Sequence, residues 1–371
     1  MKITFRNGIV MGLVITAFTS ACSSGDTRAP EGLYAYVANY NSSNVSAYSI
    51  NSSTGVLTAI AGSPFPTGSR ACSIAIEPTG KFAYVAIDPD HVSAYAVKPS
   101  TGALTAIAGS PFPAGWRSVF VAVDATGAHA YVANMEEDDI SAYAINPSTG
   151  ALTEIAGSPF PTGWGRPNTL AIDPSGKFAY ATNRLSHDSS GYIPAYTINP
   201  ATGALTSMAG SPFPTGFGPT DVTVDPTGKF AYVTNSLGIS AYTIDSSTGA
   251  LTEIAGSPFP AGSGPHSIAV DRSGKFAYVA NLDSNNVSAF GIDSSTGILT
   301  EIAGSPFPAE SLPVFIAFDP TGKFIYVANA ESNNVSVYTI DSATGVLTGI
   351  AGSPFATGQG PTSIATIRIG Q

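Results

Sequence analysis

Cysteine is almost missing from this chain of 371 residues, which has only Cys22 and Cys72. That excludes a disulfide framework and a cysteine-rich metal site, so stability must come from a core. Charge is also scarce. Asp, Glu, Lys and Arg make up 11% of the residues, against about 25% in ordinary domains, and Ser, Thr, Asn and Gly must supply the polar surface. The charge present leans acidic, 25 Asp and Glu against 15 Lys and Arg, for a net −10. Nucleic acids and anionic membrane surfaces need the opposite sign, so neither is an expected partner. No segment beyond the N-terminal leader carries a helical period. There is no G-x-S-x-G elbow, no H-E-x-x-H pair, no Cys–Cys metal spacing and no G-x-G-x-x-G loop. No metal and no cofactor are expected.

The leader is the first positive feature. Lys2 and Arg6 precede an apolar stretch from Gly8 to Phe18, too short to span a bilayer as a helix and of the length of a signal-peptide core. Thr19-Ser20-Ala21-Cys22 follows. Small residues before a cysteine resemble a bacterial lipobox, with Thr19 in the place usually held by Leu. The expectation is a signal peptide over 1–21, lipidation of Cys22 and a polar tether over 22–32. The alternative is ordinary cleavage near Ala21 and a soluble exported product. In the first case the protein is held at the bacterial cell envelope and touches a membrane through its lipid alone; in the second it is periplasmic or secreted. Cys72 then lacks a partner and reads as a small buried hydrophobe.

The rest of the chain, 33–371, is a repeat. Gly-Ser-Pro-Phe begins at Gly62, Gly109, Gly157, Gly210, Gly256, Gly304 and Gly352, at spacings of 47, 48, 53, 46, 48 and 48. In one unit, Ser267–Val270 reads as strand A, Phe276–Asn281 as B, Asn286–Ile292 as C and Ile298–Ile302 as D. The A–B turn is clearest in the sister segment Asp225-Pro226-Thr227-Gly228-Lys229, where Pro pre-sets φ and Gly accepts φ > 0. Seven units of four short strands predict an all-β, seven-bladed β-propeller. The chain enters on a B strand, Leu33–Asn39, and leaves on an A strand, Ser363–Ile369. Pairing the two closes the ring and leaves no open edge. The propeller is expected to be a monomer.

Within strand B, Tyr232-Val233-Thr234-Asn235 is followed by variants reading Tyr-Val-Ala-Asn at Tyr36, Tyr131, Tyr278 and Tyr326. Tyr84 to Ile87 departs by losing the Asn. This resembles the YVTN-repeat branch of the lactonase-like propellers, of the 6-phosphogluconolactonase type, over nearly all of the chain after the leader. The resemblance implies the fold and, for some members, lactone hydrolysis by His, acidic and Arg side chains converging on the channel. Repeated residues are architectural, so no catalytic residue transfers by position.

Function is sought where one blade breaks the pattern. D-to-A segments and B-to-C loops share one end of a propeller, at the mouth of the channel. There Arg70, Trp116, Arg117, Trp164 and Arg166 stand where later blades carry Gly, Ser or Pro. Arg forks suit carboxylate or phosphate, and Trp stacks on sugar rings; the plainer reading is Arg packed over Trp as rim decoration. The acidic run Glu136–Asp139 lacks the spacing of a calcium loop and reads as solvated. His129 takes a Phe position and reads as packing. His266 precedes a strand A and is the candidate acid or base. Its counterparts are Cys72, Val119, Asn168, Thr220, Val314 and Thr362, a mostly neutral ring to which the ligand candidate Asn168 belongs. The leading expectation is a non-catalytic binding or scaffold module for a protein, a glycan or a small anionic ligand. The alternative is a lactone hydrolase at the channel mouth.

Overall fold

The computed structural model describes residues 32–163, 165–184 and 191–370. Cys22, the leader and Trp164 lie outside the described residues, as does the long loop at 185–190. The described chain is all β, arranged as seven antiparallel blades in a closed ring. In the sixth blade A is Pro265–Val270, B Phe276–Asn281, C Asn286–Ile292 and D Leu299–Glu301. Strand A starts earlier than expected because Pro265 pairs with Asn281 across a bulge. Strand D is shorter because the Ser305 hydroxyl, at 3.0 Å, accepts the Ala289 N–H on strand C.

That serine explains the Gly-Ser-Pro-Phe motif. In all seven copies its hydroxyl accepts a strand-C amide, from Ala47 to Ser63 and onward to Val337 to Ser353. The Phe that follows generally opens a two- or three-residue strand paired back onto strand C, as Phe307–Pro308 does on Asn286–Val287. This outer strand was not legible in the sequence, which assigned the segment to a connection.

Strand B is buried on both faces, in the sixth blade without interruption from Phe276 to Asn281. Each sheet is covered by the next, so its middle strand is apolar throughout rather than alternating. Seven apolar clusters fill the gaps, one between each neighbouring pair of blades. The motif tyrosines rivet these gaps. Tyr36, Tyr84, Tyr131, Tyr180, Tyr232, Tyr278 and Tyr326 are fully buried, and each hydroxyl donates to a glycine carbonyl in the C–D turn of the next blade. A buried phenol needs such a partner.

The A–B turns form as their sequence requires. Asp225 accepts N–H groups from Thr227, Lys229 and Phe230, and Gly228 takes φ +70°. His129 stands in the Phe position and is buried, its Nδ1 2.8 Å from Asp124 Oδ2.

The ring closes as expected. Gly32–Asn39 pairs along its length with Pro361–Ile369, from Gly32 opposite Ile369 to Asn39 opposite Pro361. The A strands of all seven blades touch in sequence around the axis and wall the channel.

Candidate active site

The B–C loops and D–A segments do meet at one end of the ring. Ser236 N–H donates to Phe217 O and Leu282 N–H to Gly264 O, both at 2.8 Å. At this end the A strands enclose a cavity of about 240 Å³. All seven members of the ring predicted around His266 line it: Cys72, Val119, Asn168, Thr220, His266, Val314 and Thr362. A second ring, one residue further along each strand, lies below: Ser73, Phe120, Thr169, Asp221, Ser267, Phe315 and Ser363. Blades four to six present Asn168, Thr169, Thr220, Asp221, His266 and Ser267, the flanking blades three and seven present Val119, Phe120, Val314 and Phe315, and blades one and two present Thr362, Ser363, Cys72 and Ser73.

The upper ring is stitched blade to blade by side chains that donate to the neighbour's backbone. Asn168 Nδ2 donates to Thr220 O at 2.6 Å, Thr220 Oγ1 to Pro265 O at 3.0 Å and Thr362 Oγ1 to Ala71 O at 3.1 Å. His266 follows the same rule, with Nδ1 2.8 Å from Val314 O. A carbonyl only accepts, so Nδ1 carries the proton and Nε2 keeps a lone pair. Enclosure within the wall lowers the His266 pKa below its ordinary 6.5, opposed by the bond to Val314. The ring is therefore neutral at physiological pH.

Asp221 is the residue the sequence reading missed. It occupies the second ring on the blade next to His266 and is almost completely buried. Its Oδ2 accepts from Ile268 N at 3.0 Å, two residues along the strand from His266, and its Oδ1 from Val222 N at 2.9 Å. Burial pushes its pKa up to about 6, against hydrogen bonds from Ile268, Ser267, Val222 and Thr169. Serines do the same stitching elsewhere: Ser267 Oγ accepts from Ile316 N and Ser363 Oγ from Ile74 N, both at 3.4 Å. A carboxylate is not needed for that structural role, so Asp221 departs from the pattern of its ring. The signal was present as one acid among seven otherwise neutral second-ring residues, a ring the sequence reading did not compare.

The expected arginine sector lies above the cavity, and its cations are engaged. Arg70 Nη1 pairs with Asp88 Oδ2 at 3.2 Å and its guanidinium lies 5.4 Å from the centre of the Tyr40 ring. Tyr40, which lines the cavity, donates to the same Asp88 oxygen at 2.9 Å. Arg117 and Arg166 share Glu136, at 2.8 and 3.2 Å. Arg117 holds φ +61°, where its counterparts Gly218 and Gly264 need no side chain. Trp116 is 53% exposed, as are Leu237 to the same degree and Phe217 to 49%. Glu136 and Glu137 are exposed, as expected of a solvated run, though Glu136 is paired with both arginines; Asp139 is half-buried, its pKa raised to about 6 by burial despite the hydrogen bond from Asn134. Among the described residues no cluster of His, Cys, Asp and Glu is placed to hold a metal ion. Cys72 faces the cavity rather than the core, and burial raises its thiol pKa to about 12, leaving it unreactive.

Arg184 lines a side groove that shares Thr220 and His266 with the cavity, beside Ser236, Gly264 and Leu282. An imidazole, a carboxylate and a guanidinium therefore come from blades six, five and four around one mouth.

Comparison with known proteins agrees on the architecture. A candidate 6-phosphogluconolactonase of Bacteroides fragilis superposes with a TM-score of 0.78 at 22% identity, over 91% of this chain and 98% of that one. The periplasmic gluconolactonase of Pseudomonas aeruginosa gives 0.73 at 19% identity, over 90% and 99%. Hydrazine synthase of Kuenenia stuttgartiensis gives 0.61 at 19% identity, over 82% and 94%. One architecture thus serves unlike chemistries, and activity has to be argued from the site. No curated protein matches the chain. The family model for the lactonases with a 7-bladed β-propeller matches residues 27–163 and 193–365, and the chain belongs to that family.

Proposed function

We propose that this protein is a lactone hydrolase working at the channel mouth, the alternative to the binding or scaffold role read first from the sequence. The observation that carries this reading is the meeting, in one cavity at the channel mouth, of a neutral imidazole whose Nε2 has no hydrogen-bond partner among the described residues and a buried carboxylate raised to about 6. Family membership supports it as well. A scaffold needs neither group.

His266 is the general base. Nε2 takes a proton from water as the water oxygen bonds to the lactone carbonyl carbon. The tetrahedral intermediate collapses, the ring C–O bond breaks, and the imidazolium returns the proton to the leaving oxygen. The product is an open hydroxy acid. The Nδ1–H bond to Val314 fixes the ring throughout. The Asp221 carboxylate, on the adjacent strand, favours the transient imidazolium. Asn168 has two amide hydrogens and gives one to Thr220; the other is a donor for the developing oxyanion. Arg184 stands in the exit groove, where the product acquires its negative charge.

With the expected signal peptide and a lipid on Cys22, this activity would lie outside the inner membrane. The periplasmic setting in the name of the Pseudomonas aeruginosa neighbour fits that. The test is a pH-stat assay of sugar lactones with the purified full chain. Ring opening well above the spontaneous rate supports the hydrolase; retention of a lactone or glycan without turnover returns the reading to a binding module.

A further inference from the structure

The lining of the cavity bears on the substrate's charge, given that the hydrolase reading holds. Among the described residues, no Lys or Arg lines the cavity. The one group there carrying charge at neutral pH is the carboxylate of Asp221, with His266 held neutral. Val119, Phe120, Val314 and Phe315 stand on the blades to either side of this polar sector, and Cys72, Ser73, Thr362 and Ser363 lie opposite it. A substrate in this space meets hydrogen-bonding groups in front and behind and apolar surface at the flanks. It meets no cation.

The rim offers little more. Arg70 is paired with Asp88, and Arg117 and Arg166 share the carboxylate of Glu136; the one positive charge left over there sits on side chains nearly half exposed to solvent, above the cavity and not in its wall. Arg184 reaches the side groove but is exposed to solvent. An exposed ion pair changes affinity by no more than about fivefold. The protein as a whole carries a net charge of −10, which slows the approach of anions.

We propose that the site selects uncharged lactones and discriminates against phosphorylated ones. A phosphate ester brings roughly two negative charges at neutral pH. Seating it here would desolvate them beside Asp221 with nothing to pair them. A neutral sugar lactone suits this lining, its hydroxyls against Asn168, Thr169 and Ser267 and its C–H edges against Val119 or Val314. Hydrolysis then creates a carboxylate in a pocket that repels it, next to a groove holding a guanidinium, and this favours product release.

The experiment compares D-glucono-1,5-lactone with its 6-phosphate as substrates of the full chain, by proton release at constant pH. The expected result is a kcat/KM at least tenfold higher for the neutral lactone. Equal or preferred hydrolysis of the phosphate overturns the selectivity while leaving the hydrolase standing. Failure to open either lactone removes the hydrolase reading, and the inference with it. Val119→Lys gives a second arm, since it puts a cation on the cavity wall away from His266 and Asp221. It should move the preference at least tenfold toward the phosphate ester. An unchanged ratio in a folded variant would show that the cavity does not read the substrate's charge.

Discussion

The hydroxyl of Tyr326, in the last blade, donates to the carbonyl of Gly55, in the first, at 3.1 Å. The same bond repeats six times around the ring between blades consecutive in sequence, but here it spans the seam. A fully buried hydrogen bond of this kind contributes about 1 kcal/mol, and more is lost when the partner is left unsatisfied. Tyr326→Phe should lower stability by roughly 1–2 kcal/mol in urea with an unchanged m-value. A drop in m would mean that the ring opens instead of merely weakening.

The seam itself rests on the pairing of Gly32–Asn39 with Pro361–Ile369. Deleting residues 361–371 removes the inner strand of the first blade and exposes two sheet edges. The expected outcome is aggregation or loss of a single cooperative transition, followed by calorimetry and light scattering. A truncated chain that melts like the intact one would contradict this account of closure.

Asp221 should trade stability for activity. Its pKa is about 6 in the fold against an ordinary 3.8, so the folded state binds its proton more tightly than the unfolded state. The group therefore favours folding fully below about pH 3.8, loses that advantage between there and pH 6, and above pH 6 leaves a penalty of roughly 2–3 kcal/mol. Asp221→Ser installs the side chain found at Ser73, Ser267 and Ser363. At pH 8 this variant should be more stable than the wild type by roughly 1–3 kcal/mol, with the gap narrowing toward pH 5, and it should lose most lactone hydrolysis. A gap that ignores pH would remove the charge of Asp221 from the account.

The pH profile of kcat/KM follows from His266. His266 is held below its ordinary 6.5 by burial, so its base form persists into mildly acidic solution. The rate should rise with pH through an apparent midpoint below 6.5 and stay level to pH 8. A midpoint above 7 would exclude this imidazole as the base.

The architecture was readable because the repeat states it seven times. The strand signals, the Asp-Pro-Thr-Gly-Lys turn and the offset of the termini each appear in the sequence, and the ring of residues aligned with His266 does line the cavity. Two things were not readable. Ser305 and its equivalents hydrogen-bond across the blade to strand C, a contact with no local trace in the sequence. Asp221 shows no motif, because its significance comes from the strand beside it and from its burial. The arginines were visible, but their pairing depends on strand register, which sets Asp88 opposite Arg70, and on the B–C loop that brings Glu136 to Arg117 and Arg166.

Export is tested separately. Cys22→Ser should move the protein from the membrane fraction to the soluble fraction, and mass spectrometry of the wild type should find a lipid-modified N-terminus. An unmodified soluble wild type would leave a signal peptide without a lipid.

The catalytic assignment depends on separating the two nitrogens of His266. Asn168 shows that an asparagine at this level of the ring donates to the next blade, as His266 Nδ1 does. His266→Asn should therefore keep the stitch to Val314 while removing Nε2. Loss of a general base costs about 10²–10⁴ in rate. The decisive measurement is kcat/KM of His266→Asn for a neutral sugar lactone beside its unfolding free energy. The account predicts stability within about 1 kcal/mol of wild type and hydrolysis down at least a hundredfold. A stable variant that hydrolyses at the wild-type rate would contradict it.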